Sequence, residues 1–333
     1  MALAFDRFNE YLTARPDERI NVVFHGGEPL AAGKESFWEA LRLLESRCGE
    51  TRDRISFNIQ SNLTLVDDET LSLLKQLGIN HIGTSYDYAS GVRGLGPDRD
   101  TKAYNRRFFD GIRRVEAAGM TWGFIYVVTS ATVRRPVETF NHLLNLSSRG
   151  LFHFSPVLVY RDADDEAKSL AVTPREYAGF LGAILPLWLA RRDRLDYVEP
   201  FAHLWRYYRY GVLPAGCNDA PSCGLHVYIG PDGELSQCGR AADWNIIDYG
   251  RLADRTLAEV LADPLREELD SRRNRLAEGD CRDCPYLEVC GGGCPLDAYD
   301  AYDDFDRRSP RCEALRAFLK DWFLPAIRKE GVV

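Results

Sequence analysis

No run of the chain approaches the roughly 20 apolar residues of a membrane-spanning helix. Its N-terminus, MALAFDRFNEYLTARPDER, interleaves charges with apolar residues and offers no apolar signal core. A membrane span and a secretory leader are therefore not expected, and a cytoplasmic location is. Internal repeats and low-complexity tracts are missing too, which argues against solenoids and disordered arrays. Cationic excess is also lacking: 42 Lys+Arg stand against 50 Asp+Glu, a net charge of -8. Phosphate binding draws on clustered basic residues, so no nucleic-acid partner is expected. What is present is 333 residues, 45% hydrophobic and 28% charged, enough for a sizeable core in one large domain or two ordinary ones.

The first half alternates strand and helix. Residues 2 to 14 carry Leu3, Phe5, Phe8, Tyr11 and Leu12 at helical spacing, with Pro16 behind them. A β-branched strand, Asn21 to His25, then breaks at Gly26-Gly27, where backbone can approach a ligand closely. The rhythm continues with a helix at 35–47, strand 55–60, helix 69–77, strand 81–85, helix 104–118, strand 121–128, helix 135–148 and strand 152–159. Thr173-Pro174-x-Glu176 is a capping box opening a further helix. Five strands alternating with helices predict a parallel sheet curling toward a full or partial barrel, with ligands at the strands' C-terminal ends. The segments GGEP (Gly26, Gly27, Glu28, Pro29), QSN (Gln60 to Asn62) and TSYD (ending Ser85 to Asp87) all fall at such ends. After about residue 200 cysteine and glycine become frequent and long helices are expected to be rarer, so the sequence divides into 1–200 and 201–333. Pro231-Asp232-Gly233 signals a hairpin, and Thr256-x-x-Glu259 is a second capping box.

Cysteine is concentrated in that second part: Cys217, Cys223, Cys238, Cys281, Cys284, Cys290, Cys294 and Cys312 make two sets of four. A reducing compartment argues against a disulfide framework, and eight thiols exceed any packing need. Iron-sulfur cubanes take four thiolates each. Zinc is the rival, although zinc ribbons favour paired C-x2-C knuckles and only one such pair occurs. Gly291 to Gly293 is either a flexible link or a backbone brought against sulfur.

The run C-x9-G-x4-C at Cys223, Gly233 and Cys238, then C-x2-C-x5-C-x3-C and a last cysteine, resembles the SPASM domain. Such domains follow radical S-adenosylmethionine (radical SAM) barrels. The resemblance implies a partial (β/α) barrel, its first strand missing, followed by two auxiliary 4Fe-4S clusters. By the family's interleaved pattern Cys217, Cys223, Cys238 and Cys294 hold one cluster, and Cys281, Cys284, Cys290 and Cys312 the other. GGEP looks like the segment that receives the amino group of S-adenosylmethionine, and Gln60-Ser61-Asn62 and Ser85-Tyr86-Asp87 resemble the family's QTN and SLD. Glu28, Ser85 and Arg93 are cofactor-pocket candidates. On residue chemistry alone, Glu28 reads equally as a helix-start carboxylate and Arg93 as a solvated loop charge. Implied partners are a peptide or protein substrate and a reductant such as flavodoxin or ferredoxin. The implied chemistry is hydrogen-atom abstraction by a 5'-deoxyadenosyl radical.

The sequence also departs from that family. No CxxxCxxC loop is present, since eight auxiliary ligands leave only Cys48, expected to be a partly buried bystander at a helix end. Either the sequence begins late within an ordinary peptide maturase, or it is a degenerate cluster-binding electron carrier or peptide scaffold; the first is the expectation. Sulfatase-maturating members place an aspartate directly after the third cysteine of the first auxiliary cluster, where this chain has Gly239, so peptide maturation is preferred over cysteine-to-formylglycine chemistry. Leu63 and Tyr88 stand where the family often has glycine. Tyr86 and Tyr88 either reshape the pocket mouth or belong to the core.

Overall fold

The computed structural model describes residues 1–87, 92–147, 149–214, 223–224 and 226–332. Strand β1 (Ile20–Phe24) pairs in parallel with β2 (Ile55–Gln60), Ile20 opposite Ile55 and Phe24 opposite Ile59. Strand β3 (His81–Tyr86) follows in parallel, with Gln60 opposite Gly83. Then come β4 (Thr121–Val128), β5 (Leu151–Pro156) and β6 (Tyr197–Glu199), giving one sheet in the order β1 to β6. Helices α1 (Ala2–Ala14), α2 (Lys34–Arg47), α3 (Asp68–Gln76), α4 (Thr101–Ala117) and α5 (Pro136–Leu146) alternate with the strands. A sequential parallel sheet crossed by helices is the open barrel wall that the alternation predicts. The sixth strand was not expected. Its three residues are too few to display a period, and only its pairing of Val198 with Phe152 reveals it. The fifth strand ends at Pro156, earlier than predicted, and Ser148 lies outside the described residues.

By contacts the chain forms two compact units, Met1–Ile125 with Ile229–Leu235 and Gly250–Leu261, and Tyr126–Tyr228 with Ser236–Tyr249 and Ala262–Val333. In the first, α1 buries Phe5, Phe8 and Leu12, spaced i, i+3 and i+7, and Phe57 stacks between Phe5 at 6.3 Å and Phe24 at 5.8 Å. Alternation along β2 buries Ile55, Phe57 and Ile59, while Ser56 and Asn58 are exposed on the opposite face and Gln60 is half-buried there. Strand β3 buries Ile82, Thr84 and Tyr86 and turns Gly83 and Ser85 the other way. Parallel sheets ordinarily bury both faces. Here the second face is open and mixed, with Asn58 donating to Asn21 at 2.7 Å and Val23 and Ile125 exposed. The expected hairpin forms as β7 (Tyr228–Ile229) and β8 (Glu234–Ser236), and β9 (Asp248–Arg251) adds an unpredicted third strand.

In the second unit, Phe152, Phe154, Phe180, Phe201 and Phe318 form a run of ring contacts. The helix Pro174–Leu189 opens on the predicted box: Glu176 N donates to Thr173 Oγ1 at 3.2 Å and Thr173 N to Glu176 Oε2 at 3.1 Å. Gly182 on that helix allows Trp322 to lie so close that a Cβ would stand 2.4 Å from its ring. Long helices are rarer after residue 200, as expected, though not absent. Pro264–Glu278 runs 15 residues, and Cys312–Phe318 continues through a π-helical turn, Leu319–Phe323, into Leu324–Lys329.

Candidate functional site

The strand-end segments of the first unit are tied together by side chains. Gly26 and Gly27 are exposed, and a Cβ on either would meet nothing within 4 Å, so the backbone at this turn stands open to a ligand. Glu28 turns inward. Its carboxylate accepts from Leu30 N at 3.0 Å, capping the one-turn helix that opens at Pro29, and from Ser61 Oγ at 2.9 Å and Asn62 N at 2.6 Å. It therefore braces GGEP against QSN, combining the helix-start role with a tertiary one. Asn62 Oδ1 in turn accepts from Thr64 N at 2.9 Å. The Gln60 amide lies across Gly83, where a Cβ would fall 2.2 Å from Oε1.

Arg93 is not a solvated charge. Its side chain is 17% exposed and its guanidinium bonds Asp87, the Ser85 carbonyl, Ser85 Oγ at 2.7 Å and Tyr104 OH at 3.0 Å. Burial raises the Tyr104 phenol above its ordinary pKa, with Arg93 opposing the rise. Tyr86 belongs to the core, its ring 5.7 Å from Phe108 and 6.1 Å from Phe124, whereas Tyr88 lies outside the described residues. Leu63, buried at φ +62, holds the left-handed conformation in which glycine is easiest. Gly111 passes so close that a Cβ would stand 2.3 Å from the Leu63 carbonyl. Cys48 is fully buried, not partly so, with its thiol donating to Phe5 O at 3.4 Å.

The second unit contains seven described cysteines of the eight predicted ligands; Cys217 lies outside the described residues. Burial raises the Cys281 thiol, and Cys312 and Cys284 add to the rise. Burial pushes Cys290 up to about 11, with further contributions from Cys312, Cys281 and Cys284. Cys312 is likewise raised by burial and by Cys284. Among the described residues no three or more His, Cys, Asp or Glu side chains are gathered tightly enough for one metal ion. Thiols raised in pKa must release protons on binding metal.

The glycine run is neither slack nor incidental. Gly291, Gly292 and Gly293 all have positive φ, at 56°, 86° and 74°. A Cβ on Gly292 would stand 2.2 Å from Leu276 Cδ1, and one on Gly293 2.6 Å from Ser309 Cβ. Gly292 N donates to Cys290 Sγ at 3.4 Å, and buried Arg272 donates to the Gly293 carbonyl at 2.8 Å and the Arg307 carbonyl at 2.6 Å. The loop is thus fixed between Cys290 and Cys294. Near the other set, Gln237 Nε2 bonds the Cys223 carbonyl and lies 3.7 Å from its sulfur.

The Radical SAM superfamily model matches residues 5–143, and that of the SPASM iron-sulfur cluster-binding domain matches 221–285. The chain belongs to the radical SAM/SPASM family. This member is 26% identical over 289 residues to a serine-type anaerobic sulfatase-maturating enzyme of Klebsiella aerogenes, covering 86% of this chain and 69% of that protein. It is 24% identical over 328 residues to the cysteine-type enzyme of Clostridium perfringens, covering 91% and 81%. Among solved structures, the fold matches native anSMEcpe with bound AdoMet and Cp18Cys peptide at TM-score 0.80 and 18% identity, over 98% of this chain and 89% of that one. Streptococcus suis SuiB matches at TM-score 0.55 and 15% identity, over 92% and 69%. S-adenosylmethionine and auxiliary iron-sulfur clusters are the cofactors of this family member.

Sequence reasoning overlooked two constellations. Glu199 receives His153 Nδ1 at 2.7 Å and His203 Nε2 at 3.4 Å, joining β5, β6 and the following helix. Arg240, Asp297 and Arg311 form a half-buried charge cluster beside Cys294. Only the alternation along β5, which puts His153 opposite buried Phe152 and Phe154, hints at the first. The second brings together residues 57 and 14 positions apart, and no local pattern carries it.

Proposed function

We propose that this protein is a radical SAM/SPASM maturase that modifies a ribosomally made peptide or protein, with residues 1–200 as its barrel and 201–333 as its SPASM domain. The observation that carries this reading is the glycine loop between Cys290 and Cys294, in which Gly292 N donates to Cys290 Sγ at 3.4 Å and the Gly293 carbonyl accepts from Arg272 at 2.8 Å, in a part of the chain with seven described cysteines. The family's chemistry would be one-electron cleavage of S-adenosylmethionine and hydrogen-atom abstraction from the substrate, and the reading is conditional on a CxxxCxxC cluster loop that these 333 residues do not include. The chain's own contribution is orientation. Gly26 and Gly27 leave backbone accessible, Glu28 fixes that turn to Ser61 and Asn62, and Arg93 fixes Ser85 and Asp87. In this reading Gly26, Gly27, Pro29, Gln60, Asn62, Ser85 and Asp87 line the cofactor pocket, with Glu28 and Arg93 holding it in shape. A flavodoxin or ferredoxin is the reductant.

Peptide maturation is preferred to sulfatase maturation because of Gly239. A Cβ there would meet only the Tyr228 ring, at 3.9 Å, and φ is not positive, so a side chain fits and the missing carboxylate is a chemical difference. The names of the Klebsiella and Clostridium relatives favour the sulfatase reaction as the second reading. Co-expression decides between them. The native protein, expressed with candidate precursors taken from any short open reading frames adjacent to its gene, is expected to change the mass of one of them and to leave a sulfatase-derived cysteine or serine peptide unaltered. Formylglycine in the sulfatase peptide alone overturns the preference.

A further inference from the structure

The side chains around Cys294 include one whose arrangement the cofactor assignment leaves unexplained. Arg240 follows Cys238 by two residues, and its Nη1 lies 3.7 Å from Cys294 Sγ. Its guanidinium packs into the corner formed by Tyr160 and Trp244, with Cζ 5.1 Å from each ring centroid, and the two rings meet edge to face at 5.1 Å. Asp297 Oδ1 lies 2.9 Å from Nη1 and Oδ2 lies 2.9 Å from Arg311 Nε, ion-pair contacts without hydrogen-bond alignment, so Asp297 Oδ1 and Arg311 Nε also lack a hydrogen-bond partner among the described residues. Two cations over one anion leave a net positive charge beside the sulfur. Arg240 Nε and Nη2 are buried, and no hydrogen-bond partner among the described residues reaches them. A buried, unpartnered donor is costly unless something accepts from it. All these groups lie within the second unit.

We propose that Arg240 is a positioning residue that tunes the redox potential of the auxiliary cluster ligated by Cys238 and Cys294, holding its charge and unused N–H groups against cluster sulfur. This rests on the cluster assignment made above. One-electron reduction adds one negative charge to the cluster without making or breaking a bond, and a fixed cation nearby favours the reduced state. The two perpendicular rings pack against the guanidinium from one side and help hold it beside Cys294. The same argument gives Asp297 an opposing influence, since its carboxylate offsets the two arginines.

The test is an anaerobic redox titration of reconstituted protein with dithionite as reductant, following each cluster's paramagnetic signal. In Arg240→Gln one auxiliary midpoint is expected to fall by the equivalent of about tenfold in the reduction equilibrium, or about 59 mV for one electron. The midpoint of the Cys281, Cys284, Cys290 and Cys312 cluster stays in place and serves as the internal control. Arg240→Lys, which retains the charge without the planar fork, falls less. Asp297→Asn moves the same midpoint upward, and this variant decides the matter if Arg240→Gln takes up less iron. An unmoved midpoint in the loaded variants overturns the role of Arg240 alone. Wild-type protein that binds metal without sulfide overturns the cluster assignment and this inference with it.

Discussion

Gly27 and Gly292 are both glycines beside predicted cofactor positions, and they differ in what surrounds them. A Cβ at Gly27 meets open space, whereas one at Gly292 drives into Leu276 from a φ of +86°. Gly27→Ala is therefore expected to leave thermal unfolding of the unloaded chain within about 0.5 kcal/mol of wild type while weakening S-adenosylmethionine binding, measured by calorimetry on loaded protein. Unchanged affinity there would remove the glycine turn from the cofactor site. Gly292→Ala should instead destabilise the unloaded chain by about 1–3 kcal/mol through overpacking and backbone strain, read by denaturant titration. Glu28 and Arg93 each spend polar atoms on neighbouring chain, so their substitution is expected to loosen the proposed pocket.

Among the elements, α3 carries the clearest electrostatic device. Asp67 caps it by accepting from Thr70 N at 2.8 Å and forms a 2.7 Å ion pair with Lys34 at the start of α2. The Lys34 hydrogen bond, with the Thr70 N–H, holds the Asp67 carboxyl down to about 2. The group's folded pKa lies below its ordinary value near 4, so its stabilisation is complete above about pH 4 and is lost as pH falls toward about 2. Both partners are substantially exposed, so the ion pair itself is screened and contributes little. Asp67→Ala is expected to cost about 1 kcal/mol at neutral pH, mostly as a lost cap. That deficit should shrink between about pH 4 and about pH 2 in parallel urea titrations; a deficit constant across that range would assign the whole effect to something other than the carboxylate. Such caps were legible beforehand: Thr173-x-x-Glu176 and Thr256-x-x-Glu259 both close as predicted, because a capping box is made within four consecutive residues.

For the whole molecule the central expectation concerns iron. The loaded chain should bind about eight iron atoms with matching sulfide, from two four-thiolate clusters. Cys284→Ser and Cys294→Ser should each remove one cluster and spare the other, which iron analysis and paramagnetic signals resolve; loss of both on either change would mean that the two sets are not independent. None of the described helices is long and apolar enough to cross a membrane. The sequence by itself determined the strand and helix alternation, the strand-end location of GGEP, QSN and TSYD, and the thiol inventory. These depend on periods of two and 3.6 residues or on chemistry that each residue carries wherever it lies. Only the tertiary structure decided that Glu28 and Arg93 brace loops, that three-residue β6 joins the sheet, that the glycine run is sterically required, and that Arg240 reaches Cys294. Those outcomes depend on contacts between residues distant in sequence, such as Glu28 with Asn62 or Arg272 with Arg307, and chain folding alone brings them within hydrogen-bonding distance.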